Sequence, residues 1–158
     1  MQGPSGPAPG TPSRSTPRQT GECDRVYATT DNAGNTRSVD FEYVVEYRIL
    51  GFFDPVPGSK WKVSSTVPVK IALGDAGGVR VPDAVGQALA AACRVRFSAA
   101  GGQSEPATCM KYDLEKNQFV YSWKLEKTGT GAATIRVTIG YPGTAAATQK
   151  TLQITITK

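Results

Sequence analysis

The stretch of chain between residues 41 and 74 limits most tightly what this protein can fold into. Residues 51–56 read Gly-Phe-Phe-Asp-Pro-Val, Trp61 follows, and residues 67–74 read Val-Pro-Val-Lys-Ile-Ala-Leu-Gly. Glycine and proline favour a loop in the first motif, whereas the alternating apolar residues of the second are typical of a half-buried strand. We therefore expect a strand, a loop with exposed aromatic residues, and a second strand.

The same alternation recurs along the rest of the chain. Its clearest example places Phe119, Tyr121, Trp123 and Leu125 on one face of a strand. Short strands that are separated by turn-forming residues predict an all-β fold, an antiparallel immunoglobulin-like β-sandwich. The predicted strands are residues 26–30, 39–50, 61–63, 67–73, 93–97, 109–112, 118–126, 133–139 and 150–157.

One segment departs from this pattern. Residues 82–92 begin with Pro82 and end in an alanine-rich run, and proline is favoured in the first turn of a helix. We expect one short helix there, in which Gly86 is an unfavourable residue by intrinsic propensity.

Composition divides the chain into three parts. Residues 1–20 are almost entirely Gly, Pro, Ser, Thr, Ala, Gln and Arg, which bury too little apolar surface to offset the entropy of ordering. We expect a disordered N-terminal linker there. A β-hairpin is predicted in residues 21–44 and the sandwich domain in residues 45–158.

The sequence contains no histidine. This removes the commonest general base, the Ser-His and Cys-His nucleophile pairs, and every zinc site that uses histidine. Asp113 and Glu115 lie in a lysine-rich turn, which favours a solvated turn over a general acid/base pair. We therefore predict no catalytic residue, no metal site and no cofactor, and hence a protein that is not an enzyme.

The net charge of +5 is spread along the chain, with cations scattered among acidic residues. Neither a basic run nor a regular interleaving of basic and aromatic residues is present, so we expect no nucleic-acid partner. No apolar run is long enough to span a bilayer, so no membrane insertion is expected. The first residues lack the basic and apolar regions of a signal peptide.

Two anchors give the chain a resemblance to a known family. The first is the Gly-Phe-Phe-Asp-Pro-Val motif followed by Pro68-Val69-Lys70. The second is Met110-Lys111-Tyr112-Asp113, followed by an alternating segment that ends in Tyr121-Ser122-Trp123-Lys124. These anchors resemble the PxKF domain, a module at the C-terminal end of secreted or surface proteins of bacteria. Ile71 stands where that family has phenylalanine, and Leu73-Gly74-Asp75 replaces its Leu-Gly-Gly.

A second, shorter resemblance lies upstream of the sandwich. Residues 28–36 read Ala-Thr-Thr-Asp-Asn-Ala-Gly-Asn-Thr, which is similar to the closing hairpin of a bacterial immunoglobulin-like or hyalin-repeat domain. Asp31, Asn32 and Asn35 are also possible calcium ligands, but their acidic density is low and a hairpin turn accounts for the same residues. We therefore expect a turn rather than a calcium site.

The three cysteines are Cys23, Cys93 and Cys109. Cys93 and Cys109 flank a hydrophilic, glycine-rich loop, and either a disulfide or two buried thiols would fit that position. The family pattern, which has a cysteine after the same loop, implies the disulfide. Cys23 is then left as a free or intermolecular thiol.

Phe52, Phe53 and Trp61 form the candidate binding surface, because aromatic residues in loops often serve as recognition anchors. The alternative is that they close one end of the sandwich or pack against a preceding module. Pro68 removes a backbone donor, which predicts that its strand lies at a sheet edge or begins there. Lys70 would then face outward and discourage edge pairing, or contact a ligand.

The fold and the resemblance together imply a non-catalytic extracellular module at the C-terminal end of a bacterial surface or secreted protein. It would act as a spacer, a terminal cap or an adhesion element, with a cell-surface protein or a polysaccharide as partner. Two alternatives remain open: a carbohydrate- or protein-binding module that uses the loop aromatics, and a phage structural protein. The oligomeric state does not follow from the sequence.

Overall fold

The computed structural model describes residues 25–30, 34–41, 46–141 and 147–158. The chain divides into two compact units, Met1–Val45 and Glu46–Lys158. The predicted linker, Cys23, and Asp31 with Asn32 lie outside the described residues. The strands are β1 (Arg25–Thr30), β2 (Thr36–Phe41), β3 (Arg48–Asp54), β4 (Lys60–Lys62), β5 (Thr66–Gly74), β6 (Val95–Gly101), β7 (Glu105–Cys109), β8 (Lys111–Asp113), β9 (Gln118–Lys124), β10 (Gly131–Gly140) and β11 (Ala147–Thr157), and the helix is α1 (Asp83–Ala91).

The first unit contains an antiparallel hairpin of β1 and β2. Its register runs from Arg25 opposite Phe41 to Thr30 opposite Thr36. Gly34, in the connection, has a φ of 84°, a conformation that glycine adopts without steric cost.

The second unit is a sandwich of two sheets. One sheet has the strand order β3-β5-β9-β8, and the other has the order β4-β11-β10-β6-β7. In immunoglobulin nomenclature these orders correspond to strands A-B-E-D on one side and to the G-F-C-C′ sheet on the other, with β4 added parallel to β11. The predicted all-β, immunoglobulin-like sandwich is therefore confirmed.

The core lies between the two sheets and follows from the alternation in the sequence. Phe119 and Trp123 of β9 are buried, and Phe97 of β6 faces them from the other sheet. The Phe97 ring stacks on Tyr121 with centroids 4.5 Å apart and contacts Trp123 at 5.7 Å. Such offset and tilted aromatic pairs add attraction beyond the burial of their area.

The strand predicted over residues 39–50 is divided in the structure. Glu46 and Tyr47 lie outside any strand, β2 pairs with β1, and β3 pairs with β5. The two halves have different partners, so the alternation that they share does not make them one element. Residues 42–45 lie outside the described part of the chain.

Two further strand predictions need correction. Residues 51–54, expected in a loop, belong to β3, whose pairing with β5 is interrupted by register shifts at Ile49/Gly51 and Phe52/Asp54. Residues 109–112, expected as one strand, contribute to β7 in one sheet and to β8 in the other. Buried Met110 occupies the crossing between the sheets.

The prediction that Pro68 lies in an edge strand is wrong, because β5 pairs with β3 on one side and with β9 on the other. The last β3 residue with a partner in β5 is Asp54, opposite Lys70. Pro68 lies two residues before that point, opposite Ser122 of β9. Its missing N–H therefore costs no ladder hydrogen bond on the β3 side.

The predicted helix is present as α1, and Pro82 is its N-cap residue. Gly86 is its buried residue, and a Cβ atom at this position would lie 2.2 Å from Cε2 of Tyr112. The glycine therefore allows the helix to approach β8 closely, which offsets its low helix propensity.

The outer strands of both sheets are short or irregular. In the four-stranded sheet these are β8, with three residues, and β3, with its two register shifts. In the five-stranded sheet they are β4, with three residues, and β7, which contains Pro106.

The two ends of the sandwich chain leave from opposite ends of the sheets. Arg48 at the start of β3 pairs with Gly74 at the end of β5. Thr157 at the end of β11 pairs with Lys62, which precedes the start of β5. The two ends of the sandwich chain thus lie near opposite ends of β5, whose nine residues span about 30 Å.

Candidate binding surfaces

The three aromatic residues predicted to form a binding surface, Phe52, Phe53 and Trp61, differ in their exposure. Phe52 and Trp61 are half-buried and pack against the core from two different sheets. Trp61 also donates its indole N–H to Oγ of Ser59 at 2.9 Å. Phe53 is exposed, with 43% of its surface accessible. The three residues therefore do not share one exposed surface: two of them support the sandwich.

Phe53 contributes to a contact on the outer face of the four-stranded sheet. The guanidinium of Arg80 lies 5.2 Å from the centre of the Phe53 ring, within the range of a cation–π contact. Arg80 pairs with Gly74 on the side of β5 opposite to β3, so this contact crosses β5. The arginine also donates a hydrogen bond to the carbonyl of Lys116, which fixes its orientation.

The Cys93–Cys109 disulfide implied by the resemblance is present. The two Cα atoms are 5.1 Å apart, within the range that a disulfide bridges. The bond connects the residue before Arg94, at the entrance of β6, to the last residue of β7. It therefore joins the two open ends of the β6–β7 hairpin.

A hydrogen-bonded cluster fixes the start of α1 to the four-stranded sheet. Oδ1 of Asp83 accepts hydrogen bonds from the Tyr112 hydroxyl at 2.7 Å and from the Asn117 amide at 3.0 Å. Burial, together with this bond to Asp83, raises the pKa of Tyr112 to about 12. The phenol donates its proton to this hydrogen bond with Asp83 and so holds the helix against β8.

A second tyrosine, Tyr121 of β9, also donates a hydrogen bond to a carboxylate, that of Glu105 on β7. The Tyr121 hydroxyl donates to Oε1 of Glu105 at 3.0 Å. Burial, and then this hydrogen bond, raise the pKa of Tyr121. Since the Tyr121 ring stacks on Phe97, this pair connects the edge strand β7 to the core.

Gln103 organises the end of the sandwich from which β11 leaves. Its side-chain amide donates to the carbonyls of Glu126, Thr128 and Gly129 at 3.0–3.2 Å, and its Oε1 accepts from the N–H of Glu126 at 2.7 Å. The side chain is buried, so these bonds replace water for every polar atom of the amide.

Of the acidic pair Asp113 and Glu115, Asp113 has a structural role. Oδ1 of Asp113 accepts hydrogen bonds from the N–H groups of Glu115 and Lys116 and so stabilises its own turn. Asn35 lies in the connection between β1 and β2. In the described part of the chain, acidic and cysteine side chains form no group of three that could hold a metal ion.

A cationic face on the five-stranded sheet was missed by sequence reasoning. Its outward positions alternate with the inward-facing residues of β4, β6, β10 and β11. Lys60, Lys62, Arg96 and Arg136 occupy such positions and are exposed. We call the outward side of these four strands the cationic face. Only the register reveals it, because its cations lie on three strands, β4, β6 and β10, that are far apart in the sequence.

Comparisons with known proteins show a fold likeness of limited extent. No family model matches the chain, and no curated protein matches it. A solved structure of tandem immunoglobulin domains of titin is similar at 10% identity and a TM-score of 0.35. The match covers 86% of this chain and 62% of the titin chain, so this protein spans less than two thirds of that structure.

None of the helices in the described ranges combines the length and the hydrophobicity that crossing a bilayer requires.

Proposed function

We propose that this protein is a non-catalytic extracellular module of a bacterial surface or secreted protein, related to the PxKF domain, that acts as a load-bearing spacer. The observation that carries the proposal is the departure of the two chain ends from opposite ends of the sandwich. A module of this geometry extends a chain of domains by its full length. A pulling force then runs along the strands rather than across them.

The β4–β11 pair supports the mechanical role. These strands are parallel, and backbone hydrogen bonds join the neighbouring segments: Gly58 N–H to Gln153, Thr155 N–H to Ser59, and Val63 N–H to Thr157, each 2.9 Å. The bonds of a parallel pair are evenly spaced and run between the strands rather than along them. Because β4 follows β3 in the chain, a force between residues 46 and 158 that reaches the β4–β11 pair loads these bonds in shear together. Bonds loaded together resist more force than bonds broken one at a time.

The Cys93–Cys109 bond supports an extracellular location, because disulfides persist in oxidising compartments and are rare in the cytosol. The complete absence of histidine from the sequence supports a non-catalytic role. Fractionation of the producing cell tests the location: we expect the protein in the surface or secreted fraction with this disulfide oxidised. A cytosolic, reduced protein would contradict the proposal.

Single-molecule force spectroscopy on the full chain tests the spacer function. The β1–β2 hairpin is an internal reference, because its antiparallel strands open from one end and break their bonds in sequence. We expect the sandwich to unfold at a clearly higher force than the hairpin. Equal forces would overturn the spacer proposal.

Two proline substitutions in β11 test whether the hydrogen bonds between β4 and β11 bear the load. Thr155→Pro removes the N–H that bonds Ser59 and should lower the unfolding force of the sandwich. Thr151→Pro is the matched control, because its N–H faces the same side of β11 beyond the last residue that pairs with β4. A lower force in the control alone would show that the β4–β11 bonds do not bear the load.

A further inference from the structure

The cationic face combines positive charge with hydrogen-bonding side chains. Lys60 and Lys62 flank inward-facing Trp61 on β4, while Arg136 lies on β10 and Arg96 on β6. No ion pair within the described residues involves any of these four side chains. In this part of the chain, the one ion pair joins Lys70 to Asp54 in the other sheet.

Between the cations the outward positions carry hydroxyl and amide groups. They belong to Thr134, Thr138, Thr151, Gln153 and Thr155. The register places Thr134 opposite Gln153 and Thr151 opposite Arg136. No Asp or Glu occupies an outward position on β4, β6, β10 or β11. Asp54, Asp83 and Asp113, by contrast, belong to the four-stranded sheet and its helix.

The cations lie along a diagonal of the sheet. From Lys60 to Arg96 the diagonal crosses three strand spacings and about six residue positions, a span of roughly 25 Å. A small molecule would reach only part of it. An extended polymer with regularly repeated negative charges and hydroxyl groups matches both its length and its chemistry.

We propose that the cationic face binds a polysaccharide that carries a carboxylate on its sugar units, a polyuronate. The inference rests on the proposed extracellular function and names the partner of that module. The guanidinium groups of Arg96 and Arg136 have the planar fork that pairs with a carboxylate through two hydrogen bonds. The threonine and glutamine side chains supply donors and acceptors for sugar hydroxyls.

Single-stranded nucleic acid fits this face less well. Proteins that bind single strands stack the bases on aromatic side chains. On the four strands of the face, the described aromatic residues Trp61 and Phe97 point inward and pack with the core. The face therefore offers cations and hydrogen bonds without stacking platforms.

The test measures binding of the full chain to immobilised polygalacturonate, with neutral dextran and double-stranded DNA as comparison polymers at the same salt concentration. We expect binding to polygalacturonate that weakens as salt rises and no binding to dextran. Equal binding to polygalacturonate and dextran would overturn the proposal. Tighter binding to DNA, weakened by the same substitutions, would replace the polyuronate with nucleic acid.

Two triple variants of equal charge locate the site. The first carries Lys60→Gln, Lys62→Gln and Arg136→Gln, and should weaken polygalacturonate binding about tenfold, since each exposed ion pair contributes modestly. The matched control removes three exposed cations of the other sheet and its turn through Lys111→Gln, Lys116→Gln and Lys124→Gln, and should change binding less than about twofold. Equal losses in both triples would mean unspecific attraction and would overturn the proposal.

A third variant avoids removing any side chain that supports the sheet. Thr151→Glu places a carboxylate beside Arg136 and should weaken binding as strongly as the first triple. Unchanged binding in this variant would contradict a ligand on the face. If the wild-type chain does not bind polygalacturonate but its sandwich unfolds at high force, only this inference fails. If the chain binds but its sandwich unfolds at low force, only the spacer function fails.

Discussion

Nζ of Lys70 lies 2.7 Å from Oδ2 of Asp54 and joins the two motifs that dominate the sequence. Asp54 is the aspartate of the Gly-Phe-Phe-Asp-Pro-Val motif and the last residue of β3, and Lys70 is the lysine of the Pro-Val-Lys motif in β5. The two residues are also cross-strand partners. The lysine predicted to protect a sheet edge or to contact a ligand thus forms an ion pair between two strands.

A double-mutant cycle tests the contribution of this pair. Both side chains are about one third exposed or more, so we expect Lys70→Met and Asp54→Asn to show a coupling free energy below about 1 kcal/mol. The coupling, measured by urea unfolding, should shrink at high salt. Lys111→Met, which removes an exposed lysine of β8, serves as the control and should show no coupling to Asp54→Asn.

The close packing of α1 on β8 predicts that Gly86→Ala destabilises the protein. Alanine is the better helix former by about 1 kcal/mol, but its Cβ would clash with Tyr112. We expect a net loss of about 1–3 kcal/mol in the free energy of unfolding, as overpacked cores show. In a Tyr112→Ala background the same substitution should be neutral or stabilising. A stabilising effect in the wild-type background would contradict the close approach.

Gln103 predicts a sharp difference between two nearly equal side chains. Gln103→Glu retains the acceptor for the Glu126 N–H but replaces the amide donor, which serves three carbonyls. We expect it to lower the free energy of unfolding by about 2–4 kcal/mol, because buried carbonyls lose their partner and face a negative charge. Gln149→Glu, on the exposed part of β11, is the matched control and should change stability by less than about 0.5 kcal/mol.

The raised pKa of Tyr112 predicts a loss of stability in alkaline solution. Its value is about 12 in the folded protein against 10.0 for a free phenol. A group whose pKa is raised on folding contributes stability that is complete below pH 10 and is lost as the pH rises through about 12. Urea unfolding over this range should show a smaller loss in Tyr112→Phe than in the wild type. Identical pH profiles would contradict the prediction.

The Cys93–Cys109 bond predicts both a stability and an extension change. Its removal by Cys93→Ser with Cys109→Ser should cost about 2–5 kcal/mol, and thiol counting on the denatured wild type should find one reactive thiol, Cys23. In force spectroscopy, reduction should lengthen the unfolded sandwich by about 50 Å, since the bond shields a loop of 16 residues. Three reactive thiols in the oxidised protein would contradict the bond.

The sequence predicted most of the sandwich because period-two alternation reports directly which side of a strand is buried. The prediction failed where the chain passes from one sheet to the other, because the alternation of apolar and polar residues continues unchanged there. Residues on either side of Met110 belong to different sheets, although one residue separates them. Similarly, the glycine in Gly-Phe-Phe-Asp suggested a loop, whereas it lies next to a register shift in an edge strand.

The candidate surfaces show the same limit. Phe52 and Trp61 were sensible anchors by residue type, but only the packing shows that they support the core. The cationic face depends on the register that brings together β4, β6 and the β10–β11 pair, which are distant from one another in the chain. Net charge and local charge runs cannot reveal such a face, because its members become neighbours only when the sheet forms.

The form of the outer strands has a consequence for crowded assemblies. A long, regular outer strand would offer a row of free N–H and C=O groups to an identical neighbour. Here β4 and β8 end after three residues, β3 is broken by two register shifts, and Pro106 removes a donor from β7. Copies of this module held at high local concentration, as in an array of repeated domains, would therefore fold side by side without merging their sheets into a common aggregate.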